Sequence, residues 1–491
     1  MDTAISRFAR DKIAAGNSGL LLIADNYDAF AARILATRSA TSSLDLMYYL
    51  WHDDHSGRLL MQEVVKAAER GVRVRILLDD INPRNSDAAY LALNSYKNIE
   101  LRLFNPSGMR NGSIFRSLEM VARLFAMTRR MHNKAWIADE GLAIVGGRNI
   151  GDAYFDAAET NFRDLDLLLL GPAVGQTMQI FEAFWNCEAA KPIQLLNPAA
   201  AGSRADFLDN FDATADGQLL NSFRAWRTIT EFIVAHSDVC WTKGVRVISD
   251  PPEKVRGKRR RNWLTKELLP AIAATRQRLE IVSPYFIPSR TGLAILSKLV
   301  DRGAEVAILT NSLAATDVAA VHGAYAKYRR KLLKKSIQLF ELQPFDRQAN
   351  ISVFGSKGAS LHTKAFTVDD TLGFVGSFNF DPRSVSLNAE MGVLFHDTNL
   401  VMELRRRFEH EKSPQTSYQL VLDKGGGSAW RMARCGNIRV NPRPVSIGAS
   451  LQRWLDACRS NRNCRGNGFV GTQLFVGREL FVGTELRDHE L

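Results

Sequence analysis

Two long segments of the sequence show the same succession of apolar and polar positions. Residues 43–80 read as an apolar strand, a loop, an amphipathic helix, a tight turn at Gly71 and a second apolar strand. Residues 278–312 read in the same order, with Gly303 at the turn. A short alternating strand follows in both places. Strands that alternate with helices predict α/β units, so the sequence indicates two similar α/β domains.

A charged motif recurs inside these matching segments. Each copy has a histidine, a lysine two positions later, an aspartate further on, and an asparagine after a glycine-containing turn. The two copies are His132, Lys134, Asp139 and Asn149, and His362, Lys364, Asp369 and Asn379. In both, six residues separate the aspartate from Gly146 or Gly376. This recurrence predicts a tandem duplication rather than two unrelated salt bridges.

The motif suits chemistry at a phosphodiester. Such a reaction needs a nucleophile, an acid for the leaving oxygen, and positive charge around the phosphoryl oxygens. Residues two apart on a strand share one face, so His132 projects with Lys134, and His362 with Lys364. One copy supplies one histidine, which is half of what the reaction requires. We therefore predict that the two copies face each other across one site.

The other motif residues receive different expectations. Asn149 and Asn379 are expected to donate amide N–H bonds to the same phosphoryl oxygens. Asp139 and Asp369 fall on the opposite strand parity, so we expect them to brace the backbone rather than touch substrate. Each histidine also needs its second ring nitrogen fixed. Aligning residues 163–170 with 387–395 pairs Asp166 with Glu390, and these two are predicted to orient the histidines.

Composition narrows the partner without deciding it. The chain has 491 residues, 46% of them apolar, a formal net charge of +12 and a pI near 9.5. This charge favours an anionic partner, either nucleic acid or an anionic membrane surface. The five cysteines show no spacing typical of disulfides or zinc. With no cluster of carboxylates, we predict no metal and no cofactor, and the lysines supply the counter-charge.

The sequence shows neither a signal peptide nor an apolar run long enough to span a membrane. The expected location is therefore cytoplasmic, or peripheral on the cytoplasmic membrane. Residues 110–131 form an amphipathic basic segment, read either as an ordinary surface helix or as a membrane-facing one. Its candidate anion-facing residues are Arg116, Arg123, Arg129 and Arg130. The basic runs 253–263 and 327–335 allow the same two interpretations.

The predicted domains are a first α/β domain, a linker with connecting helices, a second α/β domain and an atypical tail. Their ranges are 1–195, 196–275, 276–427 and 428–491. The tail holds three of the five cysteines and repeats FVG-x-x-L three times from Phe469. Three hexamers are too few for a stable solenoid, so we expect this segment to be poorly packed.

Taken together, the motifs resemble those of the phospholipase D superfamily, whose signature is His-x-Lys-x4-Asp-x6-Gly-Gly/Ser-x-Asn. The resemblance covers roughly residues 20–425 and is greatest to bacterial cardiolipin synthases, nearest to the C-type branch. The stretches that carry it are DNYDAFAARI, YYLWHDDHSGRLL, RMHNKAWIAD, VGGRNIGDAYFD, VHGAYAKYRRKLL and GSFNFDPRSVSLNAE. It implies two phospholipase D-like α/β domains, each a mixed sheet flanked by helices, with the active site at their pseudo-twofold interface.

The resemblance also implies a reaction. One histidine attacks a phospholipid phosphorus to give a phosphohistidine, and the other protonates the departing alcohol. We assign His132 as nucleophile and His362 as acid and base, although the pseudo-symmetry leaves the reverse open. The acceptor would be phosphatidylglycerol, and the donor phosphatidylglycerol or phosphatidylethanolamine. A hydrolytic phospholipase D and a nuclease of the same fold are the alternatives; the amphipathic segment makes nucleic acid the less favoured substrate.

Overall fold

The computed structural model describes residues 4–81, 87–106, 129–196, 219, 221, 224–236, 238–257, 263–343, 359–422, 428–432 and 436–438. Within these ranges two large mixed sheets, of nine and ten strands, each belong to one half of the sequence. The predicted α/β class and the duplication are confirmed. No helix in the described ranges is long and apolar enough to cross a membrane.

The first sheet contains nine strands, all from residues before 243. Its strands are β1 (Ser18–Ile23), β2 (Ser43–Tyr48), β3 (Arg73–Asp79), β4 (Ile99–Phe104), β5 (Ala135–Ala138), β6 (Leu142–Gly146), β8 (Asp166–Leu170), β9 (Ala190–Pro192) and β10 (Cys240–Thr242), with β7 (Asn161–Arg163) outside it. The helices are α1 (Ala4–Ala14), α2 (Asn26–Ser39), α3 (His55–Glu69), α4 (Asp87–Asn94), α5 (Pro172–Trp185) and α6 (Ile229–Ala235).

The second sheet is built from the later part of the chain. Its strands are β11 (Val245–Ser249), β12 (Arg278–Val282), β13 (Glu305–Asn311), β14 (Gln338–Leu342), β16 (Ala365–Val368), β17 (Leu372–Gly376), β18 (Met391–His396), β19 (Ser417–Leu422), β20 (Ser428–Met432) and β21 (Gly436–Ile438), with β15 (Ala359–Leu361) outside it. The helices are α7 (Thr265–Ala273), α8 (Ser289–Asp301), α9 (Ala319–Lys334), α10 (Pro382–Ser386) and α11 (Thr398–Glu411).

Seven strands occur in the same order in both sheets. The first runs β1-β8-β6-β5-β2-β3-β4 and the second β11-β18-β17-β16-β12-β13-β14. In each sheet three of these strands are parallel, namely β2, β3 and β4, or β12, β13 and β14. Most residues of these parallel strands are buried, although some of the buried ones, such as Asp45 and Glu341, are charged. The hairpins β5–β6 and β16–β17 join the antiparallel part and follow the two histidines.

The two halves share an apolar core in addition to their own. This shared core joins side chains such as Ala135 and Val145 of the first sheet with Ala365, Val375 and Val393 of the second. Above it, β7 pairs with β15 in a small parallel sheet between the halves. Burying apolar surface between the sheets holds the two histidine-bearing segments in a fixed relation.

Two segments differ from the expected domain ranges. The expected linker, 196–275, contributes β10 to the first sheet and β11 to the second, so it is part of both domains. The expected boundary at residue 427 lies between β19 and β20, which pair in one antiparallel meander with β21. An edge strand offers unpaired backbone groups, and β20 uses those of β19. Residues 439–491, with the FVG repeats, lie outside the described residues.

Candidate active site

The two histidines lie just before strands rather than within them. His132 precedes β5 and His362 precedes β16. At these positions the chain has left its own sheet and is hydrogen-bonded to the opposite half. His132 donates its backbone N–H to the carbonyl of Ala389, and His362 to that of Arg163, each at 2.8 Å. Each histidine is thus fixed by backbone of the other half.

The side chains repeat this exchange. Nδ1 of His132 lies 2.8 Å from Oε2 of Glu390, and Nδ1 of His362 lies 2.5 Å from Oδ2 of Asp164. Each ring is therefore oriented by a carboxylate from the opposite half. A carboxylate at Nδ1 stabilises the tautomer that carries its proton there, which leaves the Nε2 lone pair available for reaction.

The position of Asp164 corrects one expectation. Asp166, predicted to orient a histidine, instead forms a buried ion pair with Arg33 at 2.9 Å and another with Arg148 at 3.2 Å. The strand register explains the error: Gly146 pairs with Asp166, whereas the equivalent Gly376 pairs with Gly392. The residue equivalent to Glu390 is thus two positions before Asp166. Asp164 and Asp166 share strand parity, so the hydrophobic pattern alone did not separate them.

Both lysines are buried beside their histidines. Lys134 and Lys364 are each 1% exposed. Nζ of Lys134 donates to the carbonyl of His132 at 2.7 Å, and Nζ of Lys364 donates to that of His362. Burial lowers the pKa of both amines. The pKa of Lys134 falls to about 7, and the charge of Lys364 is one of the effects that lower it. An anionic phosphate between them would offset this mutual repulsion.

The histidines are held in the neutral form. Burial lowers the pKa of His132 to about 4; Glu390 opposes this shift and Lys134 adds to it. Burial and then Lys364 also lower the pKa of His362, while Asp164 and Asp317 raise it. A neutral imidazole is the form that can attack phosphorus.

The two orienting carboxylates have different surroundings. Glu390 accepts hydrogen bonds from the hydroxyls of Ser377 at 2.5 Å and Ser384 at 2.7 Å. Although burial alone would raise the pKa of Glu390, His132, Lys134 and Ser377 lower it to about 2. Asp164 lies against Gly147, the residue equivalent to Ser377, where an added Cβ would meet its Oδ1 at 2.2 Å. The shorter aspartate therefore occupies the space that serine fills in the other half.

The motif asparagines and aspartates lie in different places. Asn149 donates from Nδ2 to the hydroxyl of Tyr154 at 2.7 Å. The buried Oδ1 of Asn379 accepts no hydrogen bond from the residues that the structure describes. Asp139 and Asp369 lie at turns with φ of 51° and 50°. Their carboxylates accept backbone N–H bonds from the starts of the neighbouring strands, at residues 41–43 and 276–278. These aspartates brace the sheets.

Aromatic side chains from outside the two motifs lie against both histidines. The Tyr49 ring lies edge-on to His132, with centroids 4.9 Å apart, and Nζ of Lys134 lies 5.3 Å from its centre. Tyr154 and Phe162 flank His362 at 5.2 and 5.0 Å. Aromatic rings packed against a histidine favour its neutral form, because they solvate a charged imidazolium poorly. The sequence signal for Tyr49 was its place directly after an apolar strand, in the stretch YYLW at residues 48–51.

The candidate anion-facing arginines are only partly described. Arg130 forms an ion pair with the buried Asp79 at 3.2 Å, and Asp79 also accepts the N–H of Met131 at 2.8 Å. Arg130 therefore fixes the segment before His132 rather than facing an external anion, because its charge is matched internally. Arg129 is half-buried next to Gly257. Arg116 and Arg123 lie outside the described residues.

A buried ion pair in the segment between the two halves holds Glu390 in place. Lys254 and Asp250 are both 0% exposed and lie 2.8 Å apart. Lys254 also donates to the carbonyl of Ser384 at 2.8 Å, and Asp250 accepts the N–H of Glu390 at 3.0 Å. Lys254, which belongs to the basic run 253–263, is thus internal. It holds the loop that carries two of the residues around His132.

Comparisons with known proteins show the family to which the chain belongs. Residues 34–185 and 268–412 match the family model described as "Cardiolipin synthase, PLD-like domain". The chain is 40% identical to cardiolipin synthase C of Escherichia coli K12 over 426 residues, which is 84% of this chain and 89% of that protein. It is 25% identical to cardiolipin synthase 2 of Staphylococcus epidermidis, over 80% of this chain and 67% of the relative.

A solved structure shares the fold. The crystal structure of a phosphatidylserine synthase from Haemophilus influenzae superposes with a TM-score of 0.58 at 14% identity, covering 84% of this chain and 92% of that one. At this identity the likeness concerns the architecture alone. With the family match, the cardiolipin synthase relatives and two complete histidine–lysine motifs, the chain belongs to the cardiolipin synthase family of the phospholipase D superfamily, a family of phosphatidyltransferases.

Proposed function

We propose that this enzyme transfers a phosphatidyl group onto the headgroup of phosphatidylglycerol through a phosphohistidine. The observation that carries the proposal is the exchange of carboxylates, which gives two oriented, neutral histidines in one site with two buried lysines. Two such histidines supply both a nucleophile and a proton carrier, and the lysines offset the charge on the phosphoryl oxygens.

In the first step, Nε2 of His132 attacks the phosphorus of the donor lipid. A P–N bond forms as the bond between phosphorus and the headgroup oxygen breaks. His362, having taken up a proton at Nε2, gives it to that departing oxygen, so a neutral alcohol leaves. The assignment of His362 as the acid is supported by Asp164 and Asp317, two carboxylates that raise its pKa and so favour its protonated form.

In the second step, His362 accepts the proton of a hydroxyl on the phosphatidylglycerol headgroup. The resulting oxygen attacks phosphorus and the P–N bond breaks, which restores His132 and yields cardiolipin. Water in place of this hydroxyl would give phosphatidic acid. The outcome depends on which hydroxyl reaches the phosphohistidine, and the aromatic walls formed by Tyr49, Tyr154 and Phe162 support the exclusion of water.

Incubation with vesicles of acyl-labelled phosphatidylglycerol, with and without phosphatidylethanolamine, tests the proposal. Lipid chromatography should show labelled cardiolipin for the wild type. His132→Ala and His362→Ala should both lose it by at least about 10³-fold. His396→Ala, which alters an exposed histidine at the end of β18, is the matched control and should retain activity. If labelled phosphatidic acid were the only product, the enzyme would be a hydrolase and not a transferase.

The order of the two histidines has its own measurement. The donor for this measurement carries its label on the phosphate and has a good leaving group, so that the P–N bond can form without an acid. Because that bond is labile in acid and the acyl esters are labile in base, the reaction is stopped with detergent at neutral pH. His362→Ala should then retain label on the protein. His132→Ala should retain none. Label on His132→Ala and not on His362→Ala would reverse the assignment while preserving the two-step reaction.

Peripheral attachment to an anionic membrane is part of the same proposal. Four basic side chains on α9 are exposed, namely Lys327, Arg330, Lys331 and Lys334. Near an anionic surface each basic residue contributes about 1 kcal/mol. Sedimentation with phosphatidylglycerol vesicles should weaken when these four are replaced by glutamine. Binding that is unchanged by the replacement and by salt would contradict an electrostatic attachment through α9.

A further inference from the structure

The residue before each motif histidine is held by a side chain from the middle parallel strand of its own sheet. In the first half, Asp79 ends β3, and its Oδ2 accepts the backbone N–H of Met131 at 2.8 Å. In the second half, Asn311 ends β13 and forms two hydrogen bonds of 2.9 Å with Leu361. Its Oδ1 accepts the backbone N–H, and its Nδ2 donates to the carbonyl. β3 and β13 hold the same place in the strand order and have seven residues each, so Asp79 and Asn311 are equivalent.

These side chains bind the edge of the segment that faces away from the other half. In an extended chain, consecutive residues direct their backbone N–H and C=O groups to opposite sides. His362 donates its N–H to the carbonyl of Arg163 in the other half, whereas Leu361 directs both of its groups to Asn311. The segment before His132 is held between the other half and its own strand in the same manner. Each segment is therefore fixed from both sides.

These contacts are buried. Asp79 and Met131 are 0% exposed, Leu361 is 1% exposed and Asn311 is 2% exposed. A buried backbone N–H or C=O that loses its partner costs free energy unless the chain shifts to find another. Removing the side chain of Asp79 or Asn311 would therefore move the segment, and the histidine with it. The carboxylates at Nδ1 set the rotation of each ring, whereas Asp79 and Asn311 set the position of the backbone that bears it.

Asn311 is itself held by a buried chain of side chains. Nδ1 of His322 lies 3.2 Å from the carbonyl oxygen of Asn311, and the guanidinium of Arg329 lies 2.5 Å from Nε2 of the same ring. Arg329 also pairs with the buried Glu341 at 2.6 Å. Because a guanidinium only donates, Nε2 of His322 accepts and its Nδ1–H donates to Asn311. Burial, and then the charge of Arg329, lowers the pKa of His322 to about 3, so this ring stays neutral.

We infer that Asp79 and Asn311 are positioning residues, which hold His132 and His362 respectively in place for reaction. This inference rests on the proposed function, in which His132 is the nucleophile and His362 is the acid. A misplaced nucleophile slows the first step with every donor, whereas a misplaced acid slows it only when the leaving oxygen needs a proton. The leaving group should therefore distinguish loss of Asp79 from loss of Asn311, which a general loss of structure would not do.

The test measures the first step alone, with the enzyme in excess over the donor lipid in mixed micelles. One donor is phosphatidylglycerol with label in its headgroup glycerol, a leaving group that needs a proton. The other is phosphatidyl-p-nitrophenol, whose phenolate leaves without one. Asn311→Ala should lower the rate of glycerol release by about tenfold or more, and that of p-nitrophenolate release by less than about twofold. Asp79→Ala should lower both rates by about tenfold or more.

Conservative variants separate the hydrogen bonds from the bulk of the side chains. Asp79→Asn keeps an oxygen that can accept the N–H of Met131, so it should recover most of the loss seen in Asp79→Ala. Asn311→Asp keeps the size of the side chain but sets an oxygen against the carbonyl of Leu361. It should therefore be impaired like Asn311→Ala.

Two further variants control for stability. Asn94→Ala removes a side-chain acceptor from the backbone N–H of Leu101, 2.8 Å away, and should leave both rates unchanged. His322→Gln keeps an amide opposite Arg329 but removes the bond to the carbonyl of Asn311. It should lower glycerol release by a smaller factor than Asn311→Ala, and it tests the inference if Asn311→Ala does not fold. Thermal unfolding shows which variants are folded.

The outcomes separate this inference from the proposed function. Equal losses of both rates in Asn311→Ala, no loss in either alanine variant, or no recovery in Asp79→Asn would overturn the positioning roles. If Asp79→Ala spared p-nitrophenolate release and Asn311→Ala did not, the positioning roles would stand and the order of the two histidines would be reversed. The expected rates, followed by phosphatidic acid in place of cardiolipin, would overturn the proposed acceptor alone. A wild type that releases neither group would overturn both the proposed function and the inference.

Discussion

Glu390 in the second half lies 2.8 Å from Nδ1 of His132 in the first, and the carbonyl oxygen of Ser377, 3.2 Å from the same nitrogen, also belongs to the second half. The reciprocal contact joins Asp164 to His362. Orientation of each histidine therefore depends on the docking of the two sheets through their shared core. Mutations in this interface should affect catalysis even where they touch no substrate.

The first prediction separates Asp164 from Asp166. Asp164→Asn keeps the shape of the carboxylate but favours the wrong histidine tautomer, so we expect kcat to fall by about 10²-fold or more with little loss of stability. Asp166→Asn leaves Arg33 and Arg148 without their buried counter-charge and should lower the free energy of unfolding by about 3–5 kcal/mol. Steady-state kinetics and denaturant unfolding of both variants measure the contrast. The reverse pattern would restore Asp166 as the orienting residue.

The second prediction concerns the unequal turns at Gly147 and Ser377. Gly147→Ser should displace Asp164 from His362, because even a Cβ would lie 2.2 Å from its Oδ1. We expect a clear fall in kcat. Adding Asp164→Glu should recover part of it, since this pair reproduces the serine and glutamate of the other half. If the single variant is fully active, or the double variant is no better, the steric explanation is wrong.

A third prediction uses the pseudo-symmetry to improve stability. Asn133 is fully buried, and neither polar atom of its side chain has a hydrogen-bond partner among the residues that the structure describes. Its counterpart Thr363 donates to the carbonyl of Arg163 at 3.0 Å. Asn133→Thr should gain the equivalent bond to Ala389 and raise the free energy of unfolding by about 1 kcal/mol. Thr363→Asn is the reciprocal variant, and chemical denaturation should show it to be destabilised.

The fourth prediction is a loss of stability in acid. The imidazole of His132 has its pKa lowered from 6.5 to about 4 by burial, so between these values the unfolded chain binds a proton that the folded chain does not. Protonation therefore favours unfolding, and the free energy of unfolding should fall as pH is lowered from 6.5 to 4. The free energy of unfolding should depend less on pH across this range for His132→Asn than for the wild type. An identical pH dependence in the variant would contradict the lowered pKa.

The fifth prediction tests the linker. Lys254→Met leaves Asp250 buried without its cation and loosens the loop that carries Ser384 and Glu390. Stability should fall by about 3–5 kcal/mol, and the folded fraction should show a lower kcat. Lys66→Met, which removes a half-exposed partner of Glu63, should change stability by less than about 1 kcal/mol. Equal effects in the two variants would contradict a role of Lys254 in stabilising the fold and positioning Glu390.

The fold was accessible from the sequence because its signals are local. Apolar strands, the turns at Gly71 and Gly303 and the repeated motif lie within short windows, and each half preserves them. The exchange of carboxylates was not accessible, because contacts over 198 and 258 residues leave no periodic pattern. The choice of Asp166 over Asp164 failed for a related reason: two aspartates of one parity align equally well until strand register is known.

Because each histidine is oriented by a carboxylate of the other half, neither half can form a complete site alone. A chain with one half alone would have to find a second copy before either of its histidines was oriented. Joining the halves replaces that encounter with an intramolecular one, so activity no longer depends on protein concentration. It also lets the two turns diverge, one keeping glycine with aspartate and the other serine with glutamate. If the chain were cut between the halves, activity would again depend on the concentration of the two fragments.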